Sequence, residues 1–83
     1  MKIRLNGFEI KLKGSRLKIY KLLKEGYIIK FEGIFKIYDQ KGIFINNVHN
    51  STLWTIRLMK YDGLIVMIFP AYYGLNPLIE EIK

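Results

Sequence analysis

The sequence predicts an α+β protein: one small, mostly antiparallel β-sheet of about six strands, one amphipathic helix and a short C-terminal helical turn. Three observations lead to this prediction. A strong β-hairpin signal opens the chain, a single segment of helical periodicity follows at residues 16–25, and alternating apolar patterns bounded by turn residues fill most of the remainder. The expected order is hairpin, helix and then a β-meander.

The first element is a hairpin centred on Asn6-Gly7. A type I′ turn needs positive φ at both central residues, which Asn-Gly provides. A two-residue loop places the apolar side chains of both strands on one face and a favourable charge pair on the other. The expected pairs are Leu5 with Phe8, Arg4 with Glu9, Ile3 with Ile10, and Lys2 with Lys11.

The second element is a helix over about residues 16–25. Gly14 ends the preceding strand, Ser15 is the expected N-cap and Gly26 the residue that ends the helix. At 100° per residue, four side chains form one apolar arc opposite a charged flank. They are Ile19, Tyr20, Leu22 and Leu23.

The remaining elements are predicted as strands. Residues 27–38 alternate through Gly33, which indicates one strand bent there or two strands with a bulge. A turn at Asp39–Gly42 leads to a strand at Ile43–Asn47 and a polar loop. Further strands are expected at Leu53–Lys60 and Leu64–Phe69 around a type I′ turn at Asp62-Gly63, followed by an aromatic loop, Tyr72–Gly74, and a short helix beginning at Asn76-Pro77.

The two strands Leu53–Lys60 and Leu64–Phe69 are apolar on both faces. One short helix covers only one face of a sheet. Either the sheet curls on itself or a second copy of the chain covers the other face, so a homo-oligomer is expected.

Length and composition favour a single small domain over residues 1–83. The chain is 51% hydrophobic and 25% charged, which is typical of globular proteins, and it has no cysteine. Fourteen isoleucines, eleven lysines and one alanine suggest an AT-rich coding bias, as in some thermophiles and mobile elements. The longest apolar run, Leu64–Leu75, is broken by Pro70 and Gly74, so no membrane span is expected, and a cytoplasmic location is favoured.

The positive charge is concentrated in the first third of the chain. Residues 1–30 contain nine basic and two acidic side chains, a net charge of +7, whereas the rest of the chain is neutral. Such asymmetry favours a polyanionic partner, although a basic surface can also keep a hydrophobic protein in solution.

The candidate site is a basic cluster that would contact phosphates of DNA or RNA with little sequence preference. It comprises Lys11, Lys13, Arg16, Lys18, Lys21 and Lys24. Aromatic side chains beside basic residues could add stacking on unpaired bases. The candidates for stacking are Tyr38, Trp54, Tyr72 and Tyr73.

An enzyme is the least favoured reading. His49 is the only histidine, and cysteine is absent, so pairs of imidazole or thiolate groups within one chain are excluded. Asp39 and Asp62 fit turn positions, and no phosphate-binding glycine motif is present. We therefore expect a non-enzymatic binding protein without cofactor, metal or small-molecule substrate. The alternative function is a self-associating or protein-interaction module that uses an apolar sheet face.

Overall fold

The computed structural model describes residues 1–82. It contains eight strands and two helices in this part of the chain. They are β1 (Lys2–Leu5), β2 (Phe8–Lys11), α1 (Gly14–Lys24), β3 (Ile28–Phe31), β4 (Phe35–Tyr38), β5 (Phe44–Asn47), α2 (Asn50–Tyr61), β6 (Ile65–Phe69), β7 (Tyr72–Leu75) and β8 (Glu80–Ile82).

The strands form two antiparallel sheets. The smaller has the order β2-β1-β8 and the larger the order β5-β4-β3-β7-β6. The α+β class and the antiparallel pairing agree with the sequence prediction. The expected single sheet of about six strands is wrong, because two segments predicted as loop or helix are strands and one predicted strand is a helix.

The predicted hairpin is confirmed with its full register. Lys2 pairs with Lys11, Ile3 with Ile10, Arg4 with Glu9, and Leu5 with Phe8. The turn has positive φ at both residues, 52° at Asn6 and 83° at Gly7. This hairpin could be predicted because its pattern and its turn are both local.

The C-terminal segment corrects the prediction of a final helical turn. Asn76 makes a tight turn, in which its Oδ1 accepts a hydrogen bond of 2.9 Å from the Leu78 backbone N–H. The chain then extends as β8, and Arg4 of β1 lies opposite Glu80. An Asn-Pro pair starts turns as well as helices, and the pairing with β1 is a long-range contact that no local pattern reveals.

Helix α1 forms where the periodicity predicts it, and its buried side chains are Ile19, Tyr20 and Leu23. Its N-cap is Lys13 without a side-chain hydrogen bond, so the prediction of Ser15 as N-cap is wrong. The C-terminus is as predicted: Gly26 has a φ of 101°. The N–H of Gly26 donates to the Leu23 carbonyl at 3.1 Å and that of Tyr27 to the Leu22 carbonyl at 3.3 Å, the two bonds of a Schellman motif.

The segment predicted as strand Leu53–Lys60 lies within α2, and Asp62-Gly63 ends this helix instead of joining two strands. Gly63 has a φ of 83°, and its N–H donates to the Lys60 carbonyl at 3.1 Å. A glycine with positive φ suits a helix C-terminus as well as a type I′ turn. The dipeptide signal was therefore ambiguous.

The larger sheet also departs from the predicted strand pattern. β3 and β4 pair as a hairpin, in which Phe31 lies opposite Phe35, so the chain reverses at Gly33 instead of bending or bulging there. Tyr72–Gly74, predicted as a loop, belongs to β7, which pairs with both β3 and β6.

One core joins both sheets and both helices. Its fully buried side chains include Ile3 of β1, Ile29 of β3, Ile56 and Met59 of α2, and Ile65 of β6. Both helices pack against the same face of the five-stranded sheet. The opposite face, which we call the outer face, is not covered by either helix, so the sheet does not curl on itself to bury both faces. Whether a second copy of the chain covers an apolar surface stays a prediction.

Candidate nucleic-acid interface

The six predicted basic residues differ in what surrounds them. Lys11 ends β2, Lys13 caps α1, and the other four lie on α1. The five lysines are exposed, whereas Arg16 is half-buried. Five of the six therefore lie on one helix and its N-cap.

Arg16 lies on the buried side of α1. It precedes Ile19 and Leu23 by three and seven residues, so its side chain projects from the same helical side as theirs. Its guanidinium donates a hydrogen bond of 2.9 Å to the Asp62 carboxylate at the end of α2. Arg16 therefore links the two helices, and its charge is already neutralised.

Lys24 is also paired. Its Nζ lies 3.5 Å from the Glu81 carboxylate of β8. Within residues 1–82, the other four lysines form no ion pair with a carboxylate. These four, which we call the basic face, are Lys11, Lys13, Lys18 and Lys21.

An open groove of about 380 Å³ adjoins the basic face at Lys18. Ser15 and Lys18 of α1 and Ser51 of α2 form its sides, and Ile29 and Ile37 of the sheet form its floor. Lys18 is its only charged lining residue. The groove thus extends the basic face as a concave, mildly positive surface.

A second cluster, which the sequence does not predict, lies on the outer face. Residues that are opposite each other in adjacent antiparallel strands share one face of a sheet. Two cross-strand rows follow from the observed register. The first row is Phe69, Tyr72, Lys30, Lys36 and Asn47, and the second is Ile28, Tyr38 and Phe44.

Glu32, in the β3–β4 turn, connects the polar members of this cluster. Its carboxylate lies 2.8 Å from Lys30 Nζ and 3.2 Å from Lys36 Nζ, and it accepts a hydrogen bond of 3.0 Å from the Tyr38 hydroxyl. These hydrogen bonds, above all that from Lys30, lower the pKa of Glu32 to about 2. One carboxylate thus faces two ammonium groups, and the cluster keeps a net positive charge.

The aromatic rings of the outer face contact one another and the lysines. The Tyr38 and Phe44 rings meet edge to face with centroids 5.8 Å apart. Lys30 Nζ lies 4.9 Å from the centre of the Tyr72 ring. A cleft of about 210 Å³ lies beside Tyr38 and Tyr72, with Ile28 and Gly42 among its lining residues.

The four aromatic residues that the sequence offered for stacking have different positions. Tyr38 and Tyr72 lie on the outer face, whereas Tyr73 is buried in the core. Trp54 is 63% exposed on α2. The alternation of residues 27–38 predicts that Lys30, Lys36 and Tyr38 share one side of a strand. Tyr72 joins them only because β7 pairs with β3, and the sequence predicts a loop at that position.

Helix α2 carries an exposed apolar stripe on the side away from the core. Trp54, Leu58 and Tyr61 recur at helical spacing and are 63%, 40% and 90% exposed. The helix is therefore apolar on two sides, which explains why its sequence resembles a strand with two apolar faces.

Residues with catalytic or metal-binding chemistry are sparse in the described chain. His49 is the exposed N-cap residue of α2, and Asp39 accepts backbone hydrogen bonds within the β4–β5 turn. In residues 1–82, no three histidine or acidic side chains lie close enough to hold a metal ion. Neither helix of this part is long and apolar enough to cross a membrane.

In comparisons with known proteins, no family model, curated protein or solved structure matches this chain.

Proposed function

We propose that this chain is a small, non-enzymatic, cytoplasmic nucleic-acid-binding protein that contacts backbone phosphates through its basic face. The observation that supports the proposal best is that Lys11, Lys13, Lys18 and Lys21 take part in none of the ion pairs found within the described residues. Unpaired lysines can exchange their counterions for phosphates without first breaking a salt bridge.

The geometry of these lysines also favours phosphate contacts. Lys18 and Lys21 are one turn apart and exposed on α1, and Lys13 lies at the start of the same helix. The apolar side of α1 is buried in the core, so the lysine side is free for a partner. Lysine has a flexible side chain with a compact charge, and its contacts with phosphates carry no information about base identity. The expected sequence specificity is therefore low.

Salt dependence tests this proposal. A plot of log affinity against log salt has a negative slope. We expect Lys18→Ala and Lys21→Ala each to make this slope less steep by about 1 for duplex DNA or RNA. Lys24→Ala is the matched control, because it removes a lysine of the same helix that is paired with Glu81, and we expect a smaller change. Fluorescence anisotropy at several salt concentrations measures these slopes. Equal, weak binding by the wild type and a Lys18→Glu/Lys21→Glu variant at low salt would contradict the proposal.

A second candidate function, self-association, is supported by the apolar stripe of α2. Trp54, Leu58 and Tyr61 are exposed, and tryptophan and tyrosine are enriched among residues that dominate protein interfaces. The stripe replaces the double-faced sheet on which the sequence-based expectation of a homo-oligomer rested.

We expect the wild type to dimerise at micromolar concentration and Leu58→Glu to be monomeric, because a carboxylate would be buried in the interface. Sedimentation velocity measures both masses. The Leu58 side chain is 40% exposed, so unchanged thermal unfolding of the monomeric variant would show that the fold is intact. A monomeric wild type throughout the micromolar range would exclude this function.

A further inference from the structure

We propose that the outer face of the five-stranded sheet binds single-stranded nucleic acid by stacking unpaired bases on Tyr38, Phe44, Tyr72 and Phe69. The inference rests on the proposed function and adds to it a second surface and a substrate class, namely unpaired rather than duplex nucleic acid.

The rings of this face are available to a ligand. Phe44 is 50% and Phe69 66% exposed, and Tyr38 and Tyr72 are half-buried beside the 210 Å³ cleft. One β-strand, β3, lies between β4, which carries Tyr38, and β7, which carries Tyr72. The strands β4 and β7 are therefore about 10 Å apart. Successive bases of one extended strand can therefore contact different rings, and aromatic stacking accepts any base.

The charges of this face suit a phosphate backbone. Lys30 and Lys36 are directly opposite each other at the centre of the first row, between Tyr72 and Asn47. Their only carboxylate neighbour in ion-pair range within the described chain is Glu32. A phosphate that displaces the carboxylate from one lysine still leaves Glu32 paired with the other. Such alternation of aromatic and cationic side chains is the arrangement that single-strand-binding surfaces use.

Two other occupants fit this face less well. A duplex keeps its bases stacked inside, so the rings would have no flat base surface to contact. A second copy of the chain in a symmetric dimer presents the same patch to itself. Lys30 and Lys36 would then approach the same lysines of the other copy. The charge pattern therefore favours a polyanion with exposed bases.

Leucine substitutions test the role of the rings. We expect Tyr38→Leu, Phe44→Leu and Tyr72→Leu each to weaken binding of an oligothymidine of about 12 nucleotides by about fivefold to a hundredfold. Binding of a duplex of the same length should stay unchanged. Tyr72→Phe retains a ring and should bind as the wild type does. Phe8→Leu removes an aromatic side chain that is 75% exposed on β2, away from the outer face, and should also have no effect.

A charge variant should raise the affinity for the oligothymidine instead of lowering it. Glu32→Gln removes the carboxylate that competes with phosphate for Lys30 and Lys36. We expect it to bind the oligothymidine severalfold more tightly and with a steeper salt dependence. Far-UV circular dichroism and thermal unfolding of every variant confirm that it is folded.

The outcomes separate this inference from the proposed function. If leucine variants bind oligothymidine as the wild type does while Lys18→Glu/Lys21→Glu loses all binding, the inference is wrong and the proposed function stands. If leucine variants lose only single-strand binding, both stand. If a dimeric wild type becomes monomeric on leucine substitution without a change in oligothymidine affinity, the outer face is a self-association surface and the inference is wrong.

Discussion

At the scale of single residues, the partner of each charged side chain decides its availability. Lys21 and Lys24 are one turn apart on α1, yet only Lys24 has a carboxylate partner within the described residues, Glu81 of β8. Arg16 belongs to the same cluster in sequence but pairs with Asp62. The net charge of the first thirty residues therefore overstates the charge that is free to bind a polyanion.

Glu32 shows how one residue links charge to pH dependence. Its pKa is lowered from 4.5 to about 2, chiefly by its hydrogen bond with Lys30. Because the folded state holds this proton less tightly than the unfolded chain does, Glu32 stabilises the fold above about pH 4.5, and its contribution is lost as the pH falls towards 2.

We expect Glu32→Gln to unfold at a lower temperature than the wild type at neutral pH and to lose less stability on acidification. Glu25→Gln is the matched control, because Glu25 forms no ion pair within the described residues and this substitution removes the same charge from the end of α1. Thermal unfolding at pH 6 and near pH 2, read by circular dichroism, gives the comparison. Parallel pH profiles for the wild type and Glu32→Gln would show that the network does not contribute.

At the scale of secondary-structure elements, local signals predicted β1, β2 and α1 well. The Asn6-Gly7 turn dictates the hairpin register, and the apolar arc of α1 matches its buried residues. α2 was missed because apolar side chains surround it: Ile56 faces the core, while Trp54 faces solvent. An element that is apolar on two sides has no clear helical period, and a strand is then an equally good interpretation.

The candidate sites were predictable to the same extent as their elements. The predicted cluster of six basic residues includes the four lysines of the basic face because all six are close in sequence. That Arg16 and Lys24 are paired could not be predicted, because Asp62 and Glu81 lie far away in the chain. The outer face joins Tyr72 of β7 to Lys30 of β3, residues far apart in the chain. Such a contact depends on sheet topology, which turn and periodicity signals do not contain.

At the scale of the whole molecule, the layers separate the two proposed binding surfaces. α1 packs on the inner face of the five-stranded sheet through Ile19 and Leu23. Lys21 is exposed on α1, and Lys18 is exposed at the groove beside that contact. The outer face lies on the opposite side of the same sheet. A short oligonucleotide can occupy one surface without reaching the other, so substitutions on each can be tested separately.

The shared core makes a prediction about folding. Ile3 of the three-stranded sheet and Ile29 of the five-stranded sheet are 0% and 1% exposed within one cluster. If this cluster unites both sheets, the described fold unfolds as one cooperative unit, as most small domains do. Ile3→Val and Ile29→Val should then each lower the free energy of unfolding by about 0.5–1.5 kcal/mol.

Both substitutions should shift the same single transition. Urea unfolding followed by Trp54 fluorescence and by far-UV circular dichroism measures the midpoint with a local and a global probe. We expect coincident midpoints for the wild type and each variant, with the slope against urea unchanged. Ile45→Val is the matched control, because Ile45 is 49% exposed on the edge strand β5 and should change stability by less. If Ile3→Val moved the circular dichroism transition but left the Trp54 transition in place, the three-stranded sheet would unfold independently. The two sheets would then be separate cooperative units despite their common core.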